Sequence, residues 1–217
     1  MSDARVLDIR SSHRQEIFEG EALVYPRVLL PPAWRMLLFG DGSPTRLLSL
    51  LTGAPLVVSV IGMEALGGDA GLEALLPAAA VEEARAVAAP RVQRRVWLET
   101  PSGQRLGYAS SWWNQGDLEA LLPNVAEPIG SALAVKRREI HRELLCVVHA
   151  VGHPGLEQAL GLPRTAGSER DLEALPAGQD WGQSELWGRW YVMRQGGRPL
   201  CIIHEVFCVN ALERCVA

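Results

Sequence analysis

The stretch Leu186–Val209, LWGRWYVMRQGGRPLCIIHEVFCV, decides the fold. Two apolar runs flank Gly196-Gly197, and a glycine pair suits a two-residue hairpin turn whose central residues take positive φ. The second run, Pro199–Val209, carries Ile, Val, Phe and Cys on both alternating faces, which reads as a strand covered on both sides. Glu205 stands in the middle of it. A buried carboxylate must be neutralised, hydrogen-bonded or matched to a cation. Either a structural partner or a functional role answers that need.

The register of this hairpin sets what shares a face with Glu205. Pro199 has no N–H for a ladder, which disfavours a three-residue loop and predicts a turn closing on Gln195 and Arg198. Uninterrupted pairing from that turn places Arg189 opposite His204. Glu205 then lies on the other face among Cys201, Ile203, Trp190 and Val192, and Arg189 does not meet it within the hairpin.

Upstream, RVQRRVWLET (91–100) and RLGYASSWW (105–113) form a second hairpin. Pro101-Ser102-Gly103 fits a type I turn with a left-handed glycine, which sets Glu99 opposite Arg105 and Arg95 opposite Ala109. Arg95 then shares a face with Trp97, and the small Gly107 and Ala109 leave room for a flat anion. The alternative is an arginine covering the sheet edge with its stem.

Between the hairpins lie helix signals. Ser43 as N-cap, Pro44 at the first helical position and Gly53 at the end delimit a short helix. PLVVSVIGME (55–64) follows as a strand, and residues 71–89 read as helix or loop. In 130–152, Leu133, Ile140, Leu144, Val148 and Val151 recur at helical spacing and predict an amphipathic helix. Strands gathered in hairpins with helices between them give an α+β class with a mainly antiparallel sheet.

The chain has 217 residues, a formal charge of −4 and 48% hydrophobic residues, as expected of one soluble domain spanning 1–217. No basic stripe points to nucleic acid, and no apolar run approaches the roughly 20 residues of a membrane helix. MSDARVLDIRSSHR lacks an apolar signal core, so the expected location is cytoplasmic. Cys146, Cys201, Cys208 and Cys215 read as reduced core thiols. Cys146, His149 and His153 are close in sequence, but Gly152 and Pro154 break the helix face a metal would need, so no metal site is expected. GDGSPT lacks the lysine and spacing of a P-loop, and no G-x-S-x-G or H-E-x-x-H occurs.

The segments LLFGDGSPTRLLSLLTGAPLVVSV, RVWLETPSGQRLGYASS, EPIGSAL and LWGRWYVMRQGGRPLCIIHEVF, in that order, resemble the chorismate lyase family (chorismate pyruvate-lyase, 4-hydroxybenzoate synthase). The likeness covers about residues 30–208, and the LWGR…GGRPL…HEVF hairpin is its most specific part. It implies a six-stranded antiparallel sheet, flanking helices and a closed ligand cavity. It also implies a cofactor-independent monomer that splits chorismate into pyruvate and 4-hydroxybenzoate, a quinone ring precursor.

By the family motif, Arg95 grips the ring carboxylate and Glu205 hydrogen-bonds the ring hydroxyl, with proton transfer by Glu205 left open. The Ile129 backbone N–H resembles a further carboxylate contact. The family also uses an amide at the start of the first helix; Pro44 occupies that position and has none, so Ser43 or Thr45 supplies it. Residues 152–184 are longer than the family pattern and read as a surface decoration, the alternative being a cover for the cavity. The alternative function is a non-catalytic sensor of small aromatic or carboxylic acids, since effector domains of certain bacterial repressors resemble this fold. Such sensors follow a helix-turn-helix module, for which the roughly 30 residues before the first motif leave no room.

Overall fold

The computed structural model describes residues 5–8, 31–66, 72, 76, 78–150, 186–209 and 212. The segment 152–184, His153 and Cys215 lie outside them. The strands are β1 (Arg5–Asp8), β2 (Val57–Leu66), β3 (Arg91–Glu99), β4 (Arg105–Asn114), β5 (His141–Ala150), β6 (Leu186–Gln195) and β7 (Arg198–Cys208). They form one sheet in the order β1-β5-β6-β7-β4-β3-β2, and every neighbouring pair is antiparallel. The class is α+β. The short edge strand β1 is a seventh, beyond the six expected.

The described helices are α1 (Pro32–Phe39), α2 (Pro44–Thr52), α3 (Ala78–Ala86), α4 (Gln115–Leu121) and α5 (Ile129–Val135). Pro44 opens α2 and Gly53, at φ 67°, closes it in the left-handed region, as the sequence predicts. Asn114 caps α4 by accepting from the Asp117 N–H at 3.0 Å.

The long helix expected over 130–152 does not form. After α5, Arg137 takes φ 50°, the Arg137 N–H donates to the Ala134 carbonyl, and the Arg138 N–H donates to that of Leu133. These two bonds close the helix in a Schellman motif with arginine where glycine is usual. The chain re-enters the sheet as β5, whose buried Leu145-Cys146-Val147 run suits a pleated, covered strand.

Both hairpin turns occur as predicted, yet both registers slip by one residue. In β6–β7, Gln195 faces Arg198 and Arg194 faces Pro199, but Met193 faces Cys201 and Leu200 is left over. In β3–β4, Glu99 faces Arg105 but Leu98 faces Gly107, and Leu106 is left over. A single extra residue in one strand is a β-bulge, and it sends every later side chain to the opposite face. Arg189 therefore faces Glu205, not His204, and Arg95 faces Ser110, not Ala109.

One face of the sheet carries α1, α2, α4 and α5; α3 packs on β5, β6 and β7 from the other. Leu37, Leu38, Leu48, Leu118 and Leu121 are buried under the first group, each contributing about 1.5–3 kcal/mol of hydrophobic stabilisation.

Candidate functional site

A cavity of about 40 Å³ lies between the four-helix face of the sheet and the starts of α2 and α5. Its floor includes Arg94, Val96 and Leu98 of β3, Ala109 and Ser111 of β4, Arg142 of β5, Tyr191 and Met193 of β6, and Ile203 and Glu205 of β7. Ser43, Pro44, Thr45, Pro128, Ile129 and Gly130 form its roof. The two helix starts touch: a Cβ on Gly130 would lie 2.5 Å from Ser43 Oγ. Only glycine fits there.

Glu205 is 2% exposed. Its Oε2 accepts from Arg189 Nε at 2.7 Å, and its Oε1 accepts from the Tyr191 hydroxyl, also at 2.7 Å. The Arg189 guanidinium lies 5.0 Å from the Tyr191 ring centroid, and its Nη1 donates to the Gly40 carbonyl at 3.0 Å. Burial alone pushes Arg189 down, but the charge and hydrogen bonds of Glu205 and Tyr191 more than offset it and leave it raised. Burial, reinforced by the Glu205 charge, holds the Tyr191 hydroxyl well above its usual range. Tyr191 thus remains a phenol and a donor.

Arg94, also buried, uses Nε and Nη2 on the Val125 carbonyl at 2.9 and 2.7 Å. Burial pulls its pKa down to about 10, within the range where it stays a cation at neutral pH. It thereby anchors the segment that leads into α5. Its Nη1 has no partner among the described residues. On the roof, the Pro128 carbonyl accepts from Ser131 and Ala132 N–H, so the amides of Ile129 and Gly130 precede the intrahelical bonds of α5. Pro44 has no N–H, whereas the Thr45 amide stands at the start of α2. Two arginines, two helix starts and one paired carboxylate make a site suited to anionic groups.

Of the residues singled out from sequence, Glu205, Ile129, Pro44, Thr45 and Ser43 line this cavity, and Arg95 does not. The β3–β4 bulge turns Arg95 to the other face, where it pairs with Glu64 and lies over Gly62 of β2. Arg94 takes its place. The surroundings expected for Glu205 are also corrected: Cys201 and Ile203 share its face, but Trp190 and Val192 are on the reverse, and Arg189 and Tyr191 replace them.

Arg94, Arg142 and Tyr191 were not read from the sequence as cavity residues, nor Arg189 as the partner of Glu205 behind the lining. A signal for Arg94 was present, because it alternates with the apolar Val92, Val96 and Leu98, while Arg95 alternates with Gln93 and Glu99. Cys146, Cys201 and Cys208 are buried free thiols, and burial pushes Cys201 well up. Among the described residues no His, Cys, Asp or Glu group could hold a metal, and no helix is long and apolar enough to cross a membrane.

A family described as chorismate pyruvate-lyase Rv2949c-like matches residues 38–168. The chain is 26% identical over 184 residues to the uncharacterized protein ycf21 of Porphyra purpurea, covering 85% of each. It is 24% identical over 186 residues to ycf21 of Pyropia yezoensis, again over 85% of each. Among solved structures it is similar to the effector domain of PhnF from Mycobacterium smegmatis (TM-score 0.48, 9% identity, 78% of this chain and 90% of that one). It is also similar to the possible transcriptional regulator YydK from Bacillus subtilis (TM-score 0.45, 12% identity, 72% and 58%).

Proposed function

This chain belongs to the Rv2949c-like chorismate pyruvate-lyase family, and on that premise we propose that it splits chorismate into 4-hydroxybenzoate and pyruvate. The observation that carries the reading is the buried Glu205, fixed by Arg189 and Tyr191 in the same cavity as Arg94 and two helix starts. The reaction breaks the C3–O bond, whose electron pair leaves with the enolpyruvyl group. The C4 proton is lost to that group's methylene carbon, and the ring becomes aromatic. No atom from a cofactor enters this balance.

In this reading Arg94 Nη1 and the amides of Ile129 and Gly130 take the ring carboxylate by charge-assisted hydrogen bonds. The Thr45 amide adds to the positive end presented by the roof. Glu205 accepts from the C4 hydroxyl. Arg189 Nε and the Tyr191 hydroxyl hold its two oxygens in place, which orients it as an acceptor. Catalysis then rests on orientation and preorganised electrostatics. The cavity holds waters, not a ring, so binding parts the Ser43–Gly130 contact while the sheet stays fixed. The same proposal takes the chain to act as a single-domain monomer in the cytoplasm on this small molecule, with the product a quinone precursor.

The test is incubation of the purified chain with chorismate, with 4-hydroxybenzoate quantified by chromatography. The wild type should form it, and Glu205→Ala, confirmed as folded by circular dichroism, should lose at least about tenfold in kcat/KM, the value of a hydrogen bond to a charged group. Binding without turnover supports the sensor reading. Full activity in Glu205→Ala removes Glu205 from the site.

A further inference from the structure

We propose that Arg142 binds the second carboxylate of the substrate, the one on the enolpyruvyl arm that departs; this rests on the lyase reading above. Among the described residues, two arginines line the cavity, and they enter from opposite ends. Arg94 stands on β3 and Arg142 on β5, with β4, β7 and β6 between them. Four inter-strand steps of about 4.8 Å set their backbones roughly 19 Å apart. One guanidinium therefore cannot serve both ends of the cavity.

The substrate is a dianion, and a carboxylate taken out of water without a cation is strongly disfavoured. Arg94 has already spent two nitrogens on the Val125 carbonyl, and Arg189 is committed to Glu205. Among the described residues that line the cavity, Arg142 is the cation that remains. Its Nη1 donates to the Asp41 carbonyl at 2.6 Å, while its Nε is buried with no acceptor among the described residues. A buried donor on a charged group that lacks an acceptor is a cost that a carboxylate relieves. The Asp41 contact also holds Arg142 beside the turn that leads into α2, so a carboxylate bound there adjoins the start of that helix.

This placement assigns Arg142 a specificity role. The aromatic product has one carboxylate and the substrate has two, so Arg142 distinguishes them while Arg94 does not. The experiment measures initial rates with chorismate and calorimetric affinity for 4-hydroxybenzoate in the wild type, Arg142→Ala and Arg142→Lys. Arg142→Ala should lose at least about tenfold in kcat/KM for chorismate and change affinity for 4-hydroxybenzoate by less than about twofold. Arg142→Lys should recover part of the loss, since lysine restores the charge but not the fork. Should Arg142→Ala fail to fold, Arg142→Gln is read by the same ratio. Equal losses for both ligands, or an unchanged kcat/KM, overturn the inference alone. A wild type that neither binds nor converts chorismate overturns the lyase reading first.

Discussion

His204 and Glu205 are consecutive, equally buried and turned to opposite faces of β7, and the protein treats them in opposite ways. Glu205 keeps its polarity: a guanidinium and a phenol serve its two oxygens. His204 finds no hydrogen-bond partner for either ring nitrogen among the described residues. It stacks instead on Trp190, with ring centroids 4.0 Å apart and planes 7° apart, and Trp190 stacks in turn on Trp112. Burial holds the pKa of His204 down at about 3, so the ring behaves as a neutral aromatic. At one depth of β7, polar pairing occurs on the face that has a cavity and ring stacking on the other. Two adjacent residues thus divide the sheet into a face built for an anion and a face built for packing.

The largest effect that sharpens this contrast comes from the Glu205 face. Removing one member of a buried ion pair leaves the other charge uncompensated, so Arg189→Met should destabilise the fold by about 3–5 kcal/mol. Glu205→Gln should do the same in part, and the Arg189→Met/Glu205→Gln double variant should be more stable than the sum of the single losses. Urea unfolding measures all three. Strict additivity would mean that the pair is not coupled. The contact also reverses the sequence expectation that Arg189 and Glu205 do not meet within the hairpin.

On the His204 face the effect is smaller and depends on pH. The folded pKa lies below the ordinary 6.5, so between those values the unfolded chain binds a proton that the folded chain does not. The stability from neutral His204 is present above pH 6.5 and is lost as pH falls toward 3, with a slope of up to about 1.4 kcal/mol per pH unit. His204→Phe keeps the stack and removes the titration. Its unfolding free energy between pH 7 and 4 should fall less steeply than that of the wild type, whatever offset the added volume introduces. Parallel slopes would show that His204 is protonated in the folded chain.

The boundary between the two faces is also where the sequence was legible and where it was not. Pro44, Gly53 and the Gly196-Gly197 pair announce a helix start, a helix end and a turn, because each depends on one residue's backbone freedom. The bulges at Leu106 and Leu200 depend on packing across strands, and a leucine gives no local sign of them. That invisible residue moved Arg95 out of the cavity and brought Arg189 onto Glu205. For β3 the apolar alternation of Val92, Val96 and Leu98 already indicated the covered face and placed Arg94 on it. For β5, helical spacing competed with a β-branched run, and the left-handed Arg137 that separates helix from strand has none of the usual glycine signal.

The most direct measurement is calorimetric titration of 4-hydroxybenzoate into Arg94→Ala and Arg95→Ala. These neighbours lie on opposite faces of one strand, so the pair asks which face holds the anion. Arg94→Ala should weaken binding by more than about 1.5 kcal/mol, the lower range for a hydrogen bond to a charged group. Arg95→Ala, which removes the pairing with the exposed Glu64 on the reverse face, should bind as the wild type does. A large loss in Arg95→Ala with Arg94→Ala unchanged would contradict the assignment of the cavity as the binding site.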